Sequence, residues 1–223
     1  MPVRSASRFS CWLPSPTLTH SYAKQSKGSE RHANEPNPHF LSEDLLNRFL
    51  KTLAPMRGKL GPIMFQFEYL NKQKMPSMTA FMDRLHGSFE KAPAGFRYAI
   101  ETRNPNYLKH EFADALRQLG LGHVLLDGYY VPRIAEVAAK LDMRTATFSI
   151  IRLHGPDRAE IEEQTGGVWD KIVEPKGDGL KATVDIVRQN LELGVDTYVN
   201  VNNHYEGSAP LTIQRLLEIL RKG

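Results

Sequence analysis

The sequence of 223 residues contains one cysteine, Cys11. A single thiol can form neither an intrachain disulfide nor a cluster of thiolate metal ligands. Because disulfides mark oxidising compartments, their exclusion favours a reducing compartment, and we expect a cytoplasmic protein. A lone cysteine in an apolar segment is usually a small core residue, so a nucleophilic role is the less favoured interpretation of Cys11.

Long apolar runs are absent as well. No segment approaches the run of about 20 apolar residues that a transmembrane helix requires. The basic, serine-rich start "MPVRSASRFS" is not followed by the apolar stretch of a secretory signal. We therefore expect no membrane association.

The charge is only moderately unbalanced, with 29 Lys and Arg against 25 Asp and Glu and a net charge of +4. Such a balance is compatible with a polyanionic partner but does not require one. The basic residues are scattered, and there is no zinc finger, RNA-binding aromatic motif or long basic arm. Nucleic acid and a small anionic substrate therefore both remain candidate ligands.

Short β-rich runs alternate with segments of helical periodicity along the chain. The runs are bounded by Gly, Pro or Asn, as strands are; they are "RFSCWL" (8–13), "PIMFQF" (62–67), "FRYAIE" (96–101), "HVLLD" (123–127), "TFSIIRL" (147–153) and "DTYVNV" (196–201). Repeated strand–helix units predict a parallel sheet covered by helices, with strands buried on both faces. No linker divides the chain, so we predict a single domain over 1–223.

Five helices are predicted between and after these strands. The segments are 42–56, 75–89, 110–120, 178–194 and 209–223. Ser42 is the expected N-cap of the first helix, and Pro76 is placed to open the second. Gly120 and Gly194 are expected to stop the third and fourth.

Two segments, 15–41 and 154–178, are too long to be plain connections. Long loops inside a compact domain are usually functional or disordered. Both follow predicted strands, so both lie at the carboxyl end of the sheet. Ligands bind at that end in parallel α/β folds.

Polar side chains collect at the same ends of five successive strands. We assign candidate catalytic roles to Glu101, Arg103, Asp127, Arg152 and His154. The candidate substrate-binding residues are Gln66, Glu68, Tyr69, Asn71, Asn202, Asn203, Tyr205 and Glu206. Strand alternation puts Glu101 and Arg103 on one face, and likewise Arg152 and His154.

Each candidate also has a structural interpretation. Glu101 and Arg103 could form a buried ion pair, and Asp127 could shape a turn before Gly128. Asn202 and Asn203 could make local backbone bonds. Convergence at one end favours a functional site, since the opposite strand ends, such as "KLGP" and "GLGH", carry few ionisable groups.

Several blocks resemble the signature of a known family. "KLGPIMFQFEYLNKQKMP", "GFRYAIETRNPNYL", "IIRLHG" and "YVNVNNHYEGSAPLTI" are similar to the YecE-like family, the domain of unknown function seventy-two. The resemblance runs from about Arg8 to Leu220 and implies a TIM-barrel-like (β/α) fold with its pocket at the carboxyl ends of the strands. Members have no generally established activity. A likeness in shape to metal-dependent apurinic endonucleases suggests DNA binding, by fold analogy alone.

Two departures from the family pattern affect the expectation. Members usually begin with a further strand or two, so we expect an amino-terminally truncated, incomplete barrel with about six of eight strands. Trp12 stands where the family often carries a lysine. If that lysine contacts an anionic substrate, its loss argues against activity in this chain.

Three functional hypotheses follow. The first is a hydrolase or lyase acting on a phosphate- or sugar-containing substrate, including nucleic acid. In it, Glu101 and Asp127 act as base or metal ligands, Arg103 and Arg152 hold the anion, and His154 acts as acid, base or ligand. A divalent metal ion is a candidate cofactor, with conceivable ligands in Glu68, Glu101, Asp127, His154 and His204, although no ligand motif supports it. The second is a non-catalytic nucleic-acid or anion-binding module, and the third is an inactive fragment.

Overall fold

The computed structural model describes residues 37, 39–128, 131–155 and 158–222. They divide into two compact units, with the boundary between Thr102 and Arg103. Both are α/β, with every described strand paired in parallel. The strand predicted over 8–13, with Cys11 and Trp12, lies outside the described residues, as does most of the segment 15–41.

The first unit pairs two short parallel strands. Its elements are α1 (Glu43–Leu53), β1 (Ile63–Gln66), α2 (Met78–Phe89) and β2 (Tyr98–Glu101). Ile63 lies opposite Tyr98 and Gln66 opposite Glu101, so both strands end at the same level. The first two predicted helices and the strands predicted over 62–67 and 96–101 are thereby confirmed.

Serine hydroxyls begin both helices of this unit. The Ser42 Oγ accepts a hydrogen bond from the Leu45 N–H, as predicted from the sequence. The Ser77 Oγ accepts from the Ala80 N–H at 3.0 Å. Each cap satisfies a backbone donor that the first helical turn leaves unpaired. Pro76 therefore precedes the N-cap and does not itself open the helix.

Aromatic rings fill the core of the first unit. Phe65 of β1 meets Phe89 of α2 edge to face, with ring centroids 4.9 Å apart. Phe67 and Phe81 make an equivalent contact at 4.9 Å. Such pairs contribute about 0.5–1.5 kcal/mol beyond the area they bury. They hold α2 against the strand pair.

The second unit is a three-stranded parallel sheet with helices packed on it. β4 (Phe148–Gly155) lies between β3 (Gly122–Gly128) and β5 (Asp196–Val201). The helices described in this unit are α3 (His110–Gln118), α4 (Ile134–Lys140), α5 (Arg158–Thr165), α6 (Gly177–Glu192) and α7 (Ala209–Lys222). All three strands agree with the predicted ones.

One face of this sheet is covered by helices. Leu125 of β3 and Ile151 and Leu153 of β4 pack in one cluster with Leu180 and Val184 of α6. Successive side chains of a strand point to opposite faces. The residues that alternate with this cluster therefore point away from the helices. β5 is only partly buried along its length, contrary to the expectation that every strand is buried on both faces.

Two helices were not expected from the sequence. α4 has only seven residues, and α5 lies within the segment 154–178 that was predicted to be a long loop. The predicted helix stops are confirmed at Gly120 and Gly194, whose φ angles are +64° and +69°. Glycine adopts this left-handed conformation without the steric penalty that a Cβ brings.

None of the helices in the described ranges is both long enough and apolar enough to cross a bilayer.

Candidate functional site

The carboxyl end of β4 places two basic side chains on the face away from the helices. Arg152 lies between Ile151 and Leu153 of the core cluster, and His154 follows two residues later, so both point to the opposite face. Arg152 is 5% exposed and stands level with Leu126 of β3 and Asn200 of β5. The Arg152 side chain is thus buried on the face of the sheet that points away from the helices.

Basic groups lie near enough to His154 to affect its pKa. Its pKa is lowered to about 3, first by burial and then by the positive charges of Arg152 and Arg103, with a smaller contribution from His204. Burial disfavours the charged imidazole, and neighbouring cations disfavour it further. His154 is therefore neutral at pH 7. We define Arg103, Arg152, His154 and His204 as the basic cluster.

A glycine brings His204 to this cluster. Gly155 ends β4 with φ +84°, and a Cβ there would overlap the His204 carbonyl oxygen. His204 lies on a short 3₁₀ helix, Asn203–Tyr205, that follows β5. Only a residue without a side chain lets the end of β4 approach this helix so closely.

The segment after β4 supplies a wall beside His204. The Trp169 ring stands edge-on to the imidazole, with centroids 5.0 Å apart and planes at 79°. The His204 Nε2 lies 3.4 Å from Oε1 of Glu162 on α5. Glu162 is also paired with Arg158 at 2.8 Å, and that hydrogen bond is the main reason that its pKa is lowered. The expectation that the segment 154–178 contributes to a site is consistent with this arrangement.

Asp127 belongs to a different group on the helix-covered face. It follows Leu125 by two positions and is 1% exposed. Its Oδ2 accepts a 2.7 Å hydrogen bond from the Tyr205 hydroxyl, and its Oδ1 lies 3.0 Å from the Arg133 Nε. Burial and then the Asp127 carboxylate raise the pKa of Tyr205, so the phenol keeps its proton.

Glu206 is fully buried and braces the segment before α6. Its Oε1 accepts from the Lys176 N–H at 2.6 Å and from the Arg215 guanidinium. Its backbone oxygen accepts from the Val173 N–H at 2.8 Å. No described group donates to its Oε2. Glu206 thus stabilises the fold here, and its substrate-binding role stays a prediction.

The two adjacent amides cap short turns. The Asn202 Oδ1 accepts from the His204 N–H at 3.0 Å. The Asn203 Oδ1 accepts from the Ala209 N–H at 2.8 Å, at the start of α7. Both bonds correspond to the structural interpretation of these residues. Their substrate-binding role stays a prediction.

The remaining candidates lie in the first unit. Gln66 and Glu101 end paired strands side by side, and Glu101 is fully buried. Glu68 forms a 2.5 Å ion pair with Lys74. The Asn71 Oδ1 accepts from the Gln73 and Lys74 N–H groups, which closes a turn. Tyr69 is 58% exposed.

In the second unit, the structure thus sorts the candidates into two groups. Arg103, Arg152 and His154 come together, whereas Asp127, Tyr205 and Glu206 lie in the bracing network described above. Sequence reasoning named His204 only as a conceivable metal ligand, and it assigned no role to Glu162 or Trp169. His204 directly follows the candidate binding residues Asn202 and Asn203, and Trp169 lies in the long segment after β4. The positions of both residues in the sequence therefore pointed to the site.

The described residues contain no group of three or more His, Cys, Asp and Glu side chains arranged to hold a metal ion. The basic cluster supplies guanidinium donors and imidazole nitrogens, and Glu162 lies beside His204. Its chemistry favours anions over divalent cations.

Fold and cluster define an α/β protein of parallel strands with basic side chains at the carboxyl end of a buried strand. Residues 15–223 match the model of the family described as "Protein of unknown function DUF72". The chain belongs to the DUF72 family, which confirms the resemblance seen in the sequence.

Solved structures of two DUF72 family proteins are similar to this chain. The Thermotoga maritima protein is 19% identical with a TM-score of 0.59, and the match covers 80% of this chain and 65% of that one. The Enterococcus faecalis protein is 18% identical with a TM-score of 0.54, and the match covers 80% and 69%. The chain thus spans less than two thirds of the Thermotoga protein. At these identities the likeness extends to the fold alone. No curated protein matches the chain.

Proposed function

We propose that the second unit binds a phosphate-bearing molecule through the basic cluster. The observation that carries the proposal is that His154 shares a face of β4 with the buried Arg152 and lies within the electrostatic influence of both Arg152 and Arg103. Guanidinium groups match phosphate oxygens with paired donors, and burial strengthens such contacts by lowering the local dielectric. A neutral imidazole adds a further polar contact.

Two candidate carboxylates of the second unit pair with cations that lie outside the basic cluster. Asp127 pairs with Arg133, and Glu206 pairs with Arg215, both on side chains outside the basic cluster. Glu162 is shared between Arg158 and His204. Asp127 and Glu206 therefore pair with cations outside the basic cluster, whereas Glu162 lies beside His204 within reach of it.

Anion binding would also change the chemistry of His154. A bound phosphate offsets the guanidinium charges that help to hold the pKa of His154 at about 3. The imidazole then becomes a better proton acceptor only when the anion is present. This behaviour suits a hydrolase or lyase acting on a phosphate- or sugar-containing substrate, with nucleic acid as one such substrate.

A non-catalytic binding module is the alternative. It is favoured by the engagement of Asp127 with Tyr205 and Arg133, which leaves this carboxylate bracing the fold. Under this alternative Arg103 and Arg152 still bind phosphate groups, and loss of Asp127 changes stability but not affinity. We further propose a TIM-barrel-like architecture and a cytoplasmic location for the protein. Glu101 and Gln66 keep their proposed roles in catalysis and substrate binding.

The test is a titration of the full chain with inorganic phosphate, followed by the NMR signals of the histidine rings. We expect saturable binding and an upward shift of the His154 pKa. Arg103→Gln should weaken binding by about tenfold, since it removes a charged hydrogen-bonding group. Arg48→Gln, an exposed change on α1, is the matched control and should bind as the wild type does.

A short DNA duplex distinguishes the two versions of the proposal. Affinity that falls steeply with salt and is lost with Arg103→Gln supports nucleic acid as the ligand. Release of product from a phosphate ester, abolished by His154→Gln, supports the enzyme. Absence of saturable binding to both phosphate and DNA contradicts the anion site altogether.

A further inference from the structure

An aromatic ring lies beside the basic cluster, on the segment between α5 and α6. The Trp169 indole and the His204 imidazole meet in a T-shaped contact, with centroids 5.0 Å apart and planes at 79°. Such a contact uses one edge or one face of the indole, so the imidazole covers at most one of its two faces. Trp169 is half-buried, and the residues on both sides of it are exposed. The indole is therefore placed where a flat ligand ring can stack on it.

Two glycines set the course of the chain before Trp169. Gly166 and Gly167, which follow α5, have φ angles of +61° and +75°. The Gly167 N–H donates to the Glu162 carbonyl oxygen at 3.2 Å, which caps the end of α5 and turns the chain there. Trp169 then contacts the same imidazole as the Glu162 carboxylate does.

The Glu162 carboxylate gives this ring a polar neighbour. The contacts with Arg158 and His204 both fall on its Oε1, and the side chain is 39% exposed. The Oε2 atom can thus accept a hydrogen bond from a ligand N–H. A carboxylate repels a phosphate, whereas the guanidinium groups of Arg103 and Arg152 attract it. The charges therefore favour a ligand with its phosphate at the arginines and a ring with N–H donors at Glu162.

A sugar ring is the competing occupant of the indole. Its several hydroxyl groups each need a hydrogen-bond partner when they leave water. The amide oxygens of Asn202 and Asn203, which adjoin His204 in the sequence, already accept from the N–H groups of His204 and Ala209. A nucleobase needs fewer partners, because stacking on an aromatic side chain itself contributes affinity and every base has a π-face. The described contacts thus favour a base over a sugar.

We propose that the basic cluster and Trp169 together bind a nucleotide, with its phosphate at Arg103 and Arg152 and its base stacked on Trp169. This inference rests on the phosphate site proposed above and names the class of molecule that occupies it. A base inside a duplex offers no free face, so the ligand is a free nucleotide or an unpaired one in a single strand. A base with an amino group, such as adenine, donates from that group to Glu162.

The probes are adenosine 5′-monophosphate (AMP), ribose 5-phosphate and inorganic phosphate, each titrated into the full chain by calorimetry. Ribose 5-phosphate carries the sugar and the phosphate without the base. We expect AMP to bind about tenfold more tightly than ribose 5-phosphate, because the stacking contact is lost with the base.

Substitution of the indole should act on the base alone. Trp169→Ala should weaken AMP binding about tenfold and leave the affinity for inorganic phosphate within about twofold of the wild type. Trp169→Phe, which keeps a ring, should retain most of the AMP affinity. Val168→Ala is the matched control, since Val168 is the 56% exposed neighbour of Trp169, and it should bind AMP as the wild type does.

Indole fluorescence tests the location of the base. The sequence contains two tryptophans, Trp12 and Trp169, so the Trp12→Phe variant leaves Trp169 as its one indole. AMP should quench the emission of this variant saturably, and ribose 5-phosphate should not. Quenching that is absent at saturating AMP would refute stacking on Trp169.

The titrations distinguish the nucleotide from the phosphate site alone. If inorganic phosphate binds but AMP and ribose 5-phosphate bind equally well, or if Trp169→Ala binds AMP as the wild type does, the nucleotide is refuted and the phosphate site stands. Tighter binding of glucose 6-phosphate than of AMP would replace the base by a sugar ring. If no probe binds, both proposals fail. A single-stranded oligoadenylate that binds more tightly than AMP identifies a strand as the source, and equal or weaker binding identifies the free nucleotide.

Discussion

The Tyr205 hydroxyl donates a 2.7 Å hydrogen bond to the Asp127 carboxylate across 78 positions of sequence. Both side chains are nearly fully buried, and the Arg133 Nε lies 3.0 Å from the same carboxylate. The bond ties the turn after β5 to the end of β3. The turn that carries His204 is thus held from the side of the sheet opposite to the basic cluster.

Removal of that hydroxyl should destabilise the protein. Tyr205→Phe leaves one oxygen of a buried carboxylate without its donor, and we expect a loss of about 1.5–3 kcal/mol in the free energy of unfolding. Urea denaturation monitored by circular dichroism measures it. Tyr69→Phe, at a 58% exposed tyrosine, should change stability by less than about 0.5 kcal/mol. Equal stability of the two variants would contradict the bracing role.

Gly179 should tolerate no side chain. A Cβ there would overlap the Tyr205 hydroxyl and come within 2.9 Å of Asp127 Oδ2. We expect Gly179→Ala to cost about 1–3 kcal/mol through overpacking, despite the better helix propensity of alanine. Gly177→Ala on the same helix meets no atom within 4 Å and should be neutral or slightly stabilising. Thermal melts of the two variants make the comparison, and a stable Gly179→Ala protein would refute the close packing.

Arg215 should be required to keep Glu206 buried. Arg215→Met removes the cation beside a fully buried carboxylate, and we expect a loss of about 3–5 kcal/mol. Arg221→Met, at an exposed position near the end of α7, should have little effect. Denaturant midpoints measured side by side decide the matter. A small effect of Arg215→Met would show that the Lys176 N–H alone suffices for Glu206.

Stability should fall as the solution is acidified below the ordinary histidine pKa. The pKa of His123 is lowered from 6.5 to about 3 by burial, and neither ring nitrogen has a described partner. The unfolded chain therefore binds a proton near pH 6.5 that the folded chain binds only near pH 3, so stability is full above pH 6.5 and falls below it. Between pH 7 and pH 5 this residue should account for about 2 kcal/mol.

The matching variant is His123→Leu, which cannot titrate. Its difference in unfolding free energy between pH 7 and pH 5 should be smaller than that of the wild type by the same amount. His154, whose pKa is lowered in the same direction, should leave part of the acid sensitivity in place. An unchanged pH dependence in His123→Leu would contradict a buried, neutral His123.

Much of the architecture could be predicted from the sequence because it depends on local signals. The run "DTYVNV" corresponds exactly to β5, and Gly120 and Gly194 stop helices as expected. α4 and α5 were missed for a physical reason. α4 is short, and α5 has a weak apolar periodicity because its sequence "RAEIEEQT" contributes only Ile161 and Thr165 to the interior.

The site was predictable only in part. Alternation along one strand correctly placed Arg152 with His154, since the period of a strand is fixed. Asp127 lies near the same end of the sheet, but it stands opposite Leu153 and not opposite Arg152, whose partner in the register is Leu126. That register depends on pairing between strands, which alternation within a single strand does not reveal.

Most side chains of the turn after β5 make contacts that stabilise the turn itself. Asn202 and Asn203 bond to backbone, Tyr205 to Asp127, and Glu206 to Lys176 and Arg215. His204 alone among these five residues faces Trp169 and α5. A substitution of His204 would therefore leave the described supports of this turn in place, so the side chain at this position can change without loss of the scaffold that presents it.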